Sequence, residues 1–226
     1  MEVYTYLLVN LACVFVPFIA SFYPKHAFYK DCKPFFKANL IVTLLFVIWD
    51  SIFTGIGVWG FNETYLTGIK IGNLPIEEVL FFICIPYACV FSYFAFQYFF
   101  KPNILQRSQT FISYILIAVL LIVAIFNYNK LYTAVTFFAT SFYLIFLVYK
   151  KTDLSLHYLS YFFVLPFFFL SNGVLTGSFL VEPIVWYNDA ENLGIRLFNI
   201  PIEDSVYGLL MIFMNIELYN YFKRKV

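Results

Sequence analysis

The sequence predicts an all-α, polytopic membrane protein with seven transmembrane helices, arranged as two parallel three-helix repeats joined by an extra helix. Three observations carry this: an apolar composition, seven apolar runs of spanning length, and a phrase that occurs twice. Of 226 residues, 62% are hydrophobic and only 12% charged, about half the charged fraction of an average soluble domain. A bilayer core takes roughly 20 apolar residues per helix. Runs of about that length lie at 3–22, 38–58, 76–100, 109–127, 131–149, 157–175 and 201–222. They occupy most of the chain and leave no room for a separate soluble domain. Residues 1–226 are therefore expected to form a single membrane domain.

The first run lies in MEVYTYLLVNLACVF, which lacks the basic n-region and small-residue cleavage site of a signal peptide. It is expected to be a retained helix. Charge then orients the set. Lys25, Lys30, Lys33 and Lys37 separate the first two runs, and Lys101 and Arg107 the third and fourth. Lys150 and Lys151 follow the fifth, and Lys223, Arg224 and Lys225 end the chain. The alternate connections hold only Lys70, Lys130 and Arg196. Eleven basic residues against three put the richer side in the cytoplasm, with the amino terminus outside and the carboxyl terminus inside. Seven crossings require the same parity. The expected location is the cell (inner) membrane.

The repeat organises the runs. Its first copy reads Asp50, Thr54-Gly55, Trp59, Gly68-Ile69 and Asn73-Leu74-Pro75-Ile76-Glu77-Glu78. The second reads Asn172, Thr176-Gly177, Trp186, Gly194-Ile195 and Asn199-Ile200-Pro201-Ile202-Glu203-Asp204. The Thr-Gly steps are offset by 122 residues and the acidic motifs by 126, so the second connection is four residues longer. The expected units are 1–103 and 130–226, with 104–129 as the joining helix. Helices one and five are separated by an even number of crossings, so the copies share one orientation. Both acidic motifs then start helices at the outer face. Parallel repeats are related by an axis along the membrane normal, and a site on that axis draws one acidic doublet from each half.

The doublets Glu77–Glu78 and Glu203–Asp204 are the candidate catalytic groups. Pro75 and Pro201 suit the first position of a helix, and acidic residues suit its first turn. Taken singly, each motif also reads as an ordinary helix start. A carboxylate moved toward hydrocarbon costs roughly 2.5–3.5 kcal/mol on insertion scales, and such groups are usually functional. Carboxyls gathered in a dry site do not all ionise, so one is expected to act as general acid and another as base. Asp50 and its counterpart Asn172 are expected either to orient a catalytic carboxyl or to satisfy backbone groups at a helix end. Phe81 and Tyr207, each four residues past the first acid of a doublet, share its helical face. Aromatic faces stabilise cations. Acid, base and aromatic lining together suit proton-initiated chemistry on an alkene.

Other readings fall away. Gly55-Ile-Gly57-Val-Trp-Gly60 matches GxGxxG, but no strand precedes it, and a dinucleotide fold needs one; these glycines are read as a turn. His26 and His157 are isolated on cytoplasmic connections, so no metal site is expected. No mid-membrane lysine in the seventh run could hold a retinal Schiff base. Glu217 is expected to pair with the terminal basic cluster. Cys13, Cys32, Cys84 and Cys89 form no CxxC pair and read as small buried hydrophobes. Neither a cofactor nor a nucleic-acid partner is expected.

Duplicated Pro-x-Glu-(Glu/Asp) motifs, each heading a membrane helix with Gly-Ile-x5-Pro upstream, resemble the membrane-integral lycopene cyclases. That family includes pairs of small three-helix subunits and fused forms joined through an added helix; this chain resembles the fused form along essentially its whole length. The resemblance implies roles for Pro75, Glu77, Glu78, Pro201, Glu203 and Asp204. It implies lipid-dissolved lycopene as substrate, membrane lipid as surroundings, and other carotenoid-pathway enzymes as candidate partners. The implied reaction is redox-neutral and cofactor-independent: an acid protonates the terminal double bond of a ψ end group, the neighbouring double bond closes the ring, and a carboxylate removes a proton to give a β-ionone ring. Lycopene would pass through γ-carotene to β-carotene. The doublets are left interchangeable as acid and base. A rival plan, the SWEET-like transporter, has the same three-plus-one-plus-three layout, but two acidic doublets suit a cation better than a neutral sugar.

Overall fold

The computed structural model describes residues 2–24, 27–99 and 104–225; Lys25, His26, Lys101 and the last residue of the third predicted run lie outside them. Seven long helices follow in order: α1 (Thr5–Ala20), α2 (Cys32–Gly55), α3 (Ile76–Phe99), α4 (Gln109–Phe126), α5 (Leu131–Tyr149), α6 (Ser155–Leu175) and α7 (Ile202–Lys223). The first six are long and apolar enough to cross a membrane. At 22 residues α7 is as long, but it carries Glu203, Asp204, Glu217 and Lys223. It tolerates them because it packs against α2, α3, α5 and α6, so neighbouring helices cover much of its length and lipid does not. Helix α2 starts six residues earlier than its apolar run. Pro34 in its first turn is compatible with a helix start, and Phe28 and Phe35 are buried there against Tyr87.

Three short antiparallel ribbons, absent from the sequence reading, fill the connections α2–α3 and α6–α7. Strand β2 (Lys70–Ile71) pairs with β3 (Leu74–Pro75), and β5 (Arg196–Leu197) with β6 (Ile200–Pro201). The residue pairs match across the copies at the 126-residue offset. Pro75 and Pro201 end β3 and β6, one residue before their helices begin, so they stand just outside the first helical position. The third ribbon joins the copies: β1 (Trp59–Phe61) pairs with β4 (Val185–Tyr187), with Gly60 opposite Trp186. This pairing puts both connections at one end of the bundle, which an inverted repeat would not allow.

The register separates the two tryptophans that the repeat aligned. Trp59 turns inward to Asp50, whereas the Trp186 indole lies over Gly60, where an added Cβ would sit 2.4 Å from the ring. Deeper in the bundle, polar groups tie the central helices. Asn39 of α2 donates to the Phe82 carbonyl of α3 at 2.9 Å and to Asn215 of α7 at 3.2 Å. Such bonds are worth about 0.6 kcal/mol on average between membrane helices. At the opposite end Lys223 pairs with Asp31 at 2.6 Å. His157 is not on a connection: it is buried in the first turn of α6, 2.9 Å from Glu217. Glu217 therefore pairs with His157 and not with the terminal basic cluster, because one side of α7 at that level faces α6 and the carboxylate is drawn into the contact.

Candidate active site

The β1–β4 ribbon roofs a cavity lined from both halves. The two flanking hairpins show how local sequence sets the acidic motifs beside it. Ile71 and Leu74 flank the two-residue turn Gly72-Asn73, and Gly72 takes φ +64°, the left-handed conformation such turns require. The second hairpin has Phe198 at the matching place, with φ +58°. Asn73 donates to the Ser51 carbonyl at 2.8 Å and Asn199 to the Gly173 carbonyl at 2.9 Å. Each hairpin is thus moored to the end of α2 or α6 beside its own acidic motif.

The members of each doublet point different ways. Glu77 and Glu203 fold back under the connections: Glu77 Oε1 accepts the Thr67 N–H and Glu203 Oε1 the Leu193 N–H, each at 2.7 Å. Glu203 also accepts from Thr133 Oγ1 at 2.6 Å, and the Glu77 backbone carbonyl accepts from Asn10 at 2.8 Å. Neither side chain lines the cavity. The second members do. Glu78 and Asp204 share its wall with Asp50, Asn172, Phe81 and Tyr207. Of the ten residues singled out in the sequence, six therefore meet around one space. Glu77, Glu203, Pro75 and Pro201 stand behind it.

The carboxyls are deeply buried, with exposures of 2% for Asp50, 8% for Glu78 and 4% for Asp204. Their partners differ. Asp204 Oδ1 accepts from the Tyr132 hydroxyl at 2.5 Å, and Oδ2 accepts from the Tyr187 hydroxyl and the Asn172 amide, each at 2.8 Å. Glu78 accepts from Tyr6, and Asp50 from the Trp59 indole. Asp50 Oδ2 is buried without a partner, as is the hydroxyl of Thr54 one turn on. Burial, with Asp204 beside it, holds the Tyr187 phenol well above its usual pKa, so it stays a donor. Among the described residues lining the cavity there is no Lys, Arg or His.

Aromatic rings complete the enclosure. Trp59 lies 5.0 Å from Tyr132, and Tyr207 lies 4.9 Å from Phe46 and 5.1 Å from Trp49. Of these rings Trp59, Tyr132 and Tyr207 line the space, about 620 Å³ with its open mouth included, while Phe46 and Trp49 back Tyr207 from outside it. Sequence reasoning missed Tyr6, Tyr132, Trp59 and Tyr187. The first two carried a signal, since they stand 126 residues apart, the offset of the acidic motifs. Carrying the repeat back into the first and fifth helices finds both. Trp59 and Tyr187 enter only through the β1–β4 pairing.

The chain matches the family model for lycopene cyclases twice, over residues 3–96 and again over 129–222. The chain belongs to the lycopene cyclase family. Both matches contain an acidic doublet, and the stretch between them holds α4. No curated protein and no solved structure matches the chain. Membership makes it a membrane enzyme that cyclises carotenoids, with a lipophilic carotenoid as substrate. The transporter plan falls with it.

Proposed function

We propose that this lycopene cyclase converts the ψ end groups of lycopene to β-ionone rings, through γ-carotene to β-carotene, by cofactor-independent acid–base catalysis in one shared cavity. The observation that carries the reading is the meeting of Glu78 and Asp204, one from each repeat, with Asp50 in a single aromatic-walled space. Three carboxyls with no cation among the described lining residues resist full ionisation, which supplies a proton donor and an acceptor together. The rings of Trp59, Tyr132 and Tyr207 offer π-faces to the tertiary cation formed between the proton transfers. The reaction is an isomerisation: the substrate gains and loses one proton per ring.

The units 1–103 and 130–226, joined through 104–129, each supply half of the site. A narrow cavity takes one end group while the rest of the polyene stays in the lipid, so both ends of lycopene visit the same carboxyls in turn. The protein resides in the cell membrane with the cavity end outward, as the distribution of basic residues favours. Expression in lycopene-accumulating cells, with pigments separated by chromatography, tests the activity; unchanged lycopene beside well-expressed protein rejects it. Labelling of cysteines introduced near residues 70 and 196 tests orientation, and access from the cytoplasm alone reverses it.

A further inference from the structure

We propose that Asp50, sharing one buried cavity with Glu78, is the catalytic acid that starts cyclisation, and that Asp204 is the base that ends it. This rests on the cyclase reading and divides the labour within it. Three contacts separate the carboxyls. Asp204 accepts from three neutral donors, Tyr132, Tyr187 and Asn172. Both of its oxygens are occupied as acceptors, the arrangement that an ionised carboxylate needs and a protonated one leaves partly wasted. Asp50 accepts from Trp59 on Oδ1, while Oδ2 is buried without a formed hydrogen bond and has only the Thr54 hydroxyl, one turn on, as a further neighbour able to serve it. An ionised Asp50 would strand a charged oxygen in a dry wall, a severe penalty. A neutral Asp50 keeps Oδ1 as acceptor and carries its proton on Oδ2, at the wall of the cavity that Asp50 lines.

An alkene has no lone pair, so a donor to it should have no competing acceptor at rest. Asp50 Oδ2 meets that condition. Glu78 lies on the same cavity wall and accepts from Tyr6, and two carboxyls on one dry wall do not both ionise readily. In the other half the corresponding position is Asn172, whose amide donates to Asp204 instead. The single Asp-to-Asn difference between the repeats thus makes one side an acid and the other a base.

The step balances. The Asp50 O–H breaks as a C–H forms at the terminal double bond, leaving a tertiary cation. The neighbouring double bond supplies the electron pair that closes the ring. Asp204 takes a ring proton and a double bond returns. A proton then passes back from Asp204 to Asp50 before the next end group enters.

Wild type, Asp50→Asn, Asp50→Glu and Asp204→Asn are compared in lycopene-accumulating cells and as purified protein. Asparagine keeps the size of Asp50 and the acceptor for Trp59, so a positioning role survives the change and a proton-donating one does not. The expected result is a loss of ring formation by about 100-fold or more, with wild-type protein level, wild-type melting temperature and copurifying lycopene, and partial recovery in Asp50→Glu. Asp204→Asn is expected to form a cation that loses its proton elsewhere, giving rings with displaced double bonds. Asp50→Asn that cyclises at more than a tenth of the wild-type rate overturns the proposal. So does loss of bound lycopene or of thermal stability along with activity, or displaced-double-bond rings from Asp50→Asn. A wild-type chain that leaves lycopene unchanged rejects the cyclase reading instead.

Discussion

The two halves place their acidic motifs on matching supports, with the same hairpin register at the 126-residue offset, and then surround them differently. In each, the first acid of the doublet braces a connection, Glu77 at Thr67 and Glu203 at Leu193, with equal bond lengths of 2.7 Å. In each, a tyrosine 72 residues upstream donates to the second acid, Tyr6 to Glu78 and Tyr132 to Asp204. The halves part at two places. Asp204 gains Tyr187 and Asn172 as further donors, while the first half offers Asp50 and Trp59. Bracing is thus shared between the halves and the cavity asymmetric, which fits the proposed division into acid and base.

The largest effect should come from the side with more donors. Asp204→Asn is expected to lower β-ring formation by about 100-fold or more, measured as β-carotene per unit of protein. A near-normal yield would remove Asp204 from the chemistry and erase the asymmetry. Next, Tyr132→Phe and Tyr187→Phe each delete a bond to a charged acceptor, worth about 1.5–3 kcal/mol, and should each reduce the rate about tenfold or more. Tyr6→Phe should reduce it less, because the acid pair does not depend on stabilising a full charge. Equal losses for Tyr6→Phe and Tyr132→Phe would mean that the halves act alike.

Smaller effects probe the bracing. Glu77→Gln and Glu203→Gln keep an oxygen for the loop N–H and should lower stability by about 1–3 kcal/mol, read as a lower melting temperature with cyclisation retained. Complete loss of activity in folded protein would return the first acids to the catalytic role that the bare motif suggests. At the hairpin tips, Phe198→Gly should raise stability by up to about 1 kcal/mol, since it relieves a left-handed backbone that Gly72 already adopts freely. The smallest effect is expected from Lys70→Ala: its pair with Glu63 is mostly exposed, and the melting temperature should not move measurably.

Much of this was legible in the chain. Runs of spanning length mark all seven helices, six of them apolar enough to cross a membrane on that ground alone, because backbone polar groups in hydrocarbon must be satisfied within the segment. The repeat, read with the even number of crossings, puts both acidic motifs at one end, and β1–β4 pairing agrees. Cys32 to Lys37 was not legible as helix, since Lys33, Pro34 and Lys37 interrupt the apolar signal while buried Phe28 and Phe35 hold the segment. His157 and Glu217 were misread for a related reason: a contact between α6 and α7 does not show in local composition.

The sequence by itself determined the spans, the duplication and the two acidic doublets, because hydrophobic length and repeated spacing are properties of the chain alone. Only the tertiary structure decided which acid of each doublet meets the cavity. Adjacent residues on a helix point about 100° apart, and the choice between them is made by what packs alongside. It also brought Trp59 and Tyr187 to the carboxyls through strands from opposite halves. And it left one oxygen of Asp50 without a partner, a fact that no spacing in the sequence encodes.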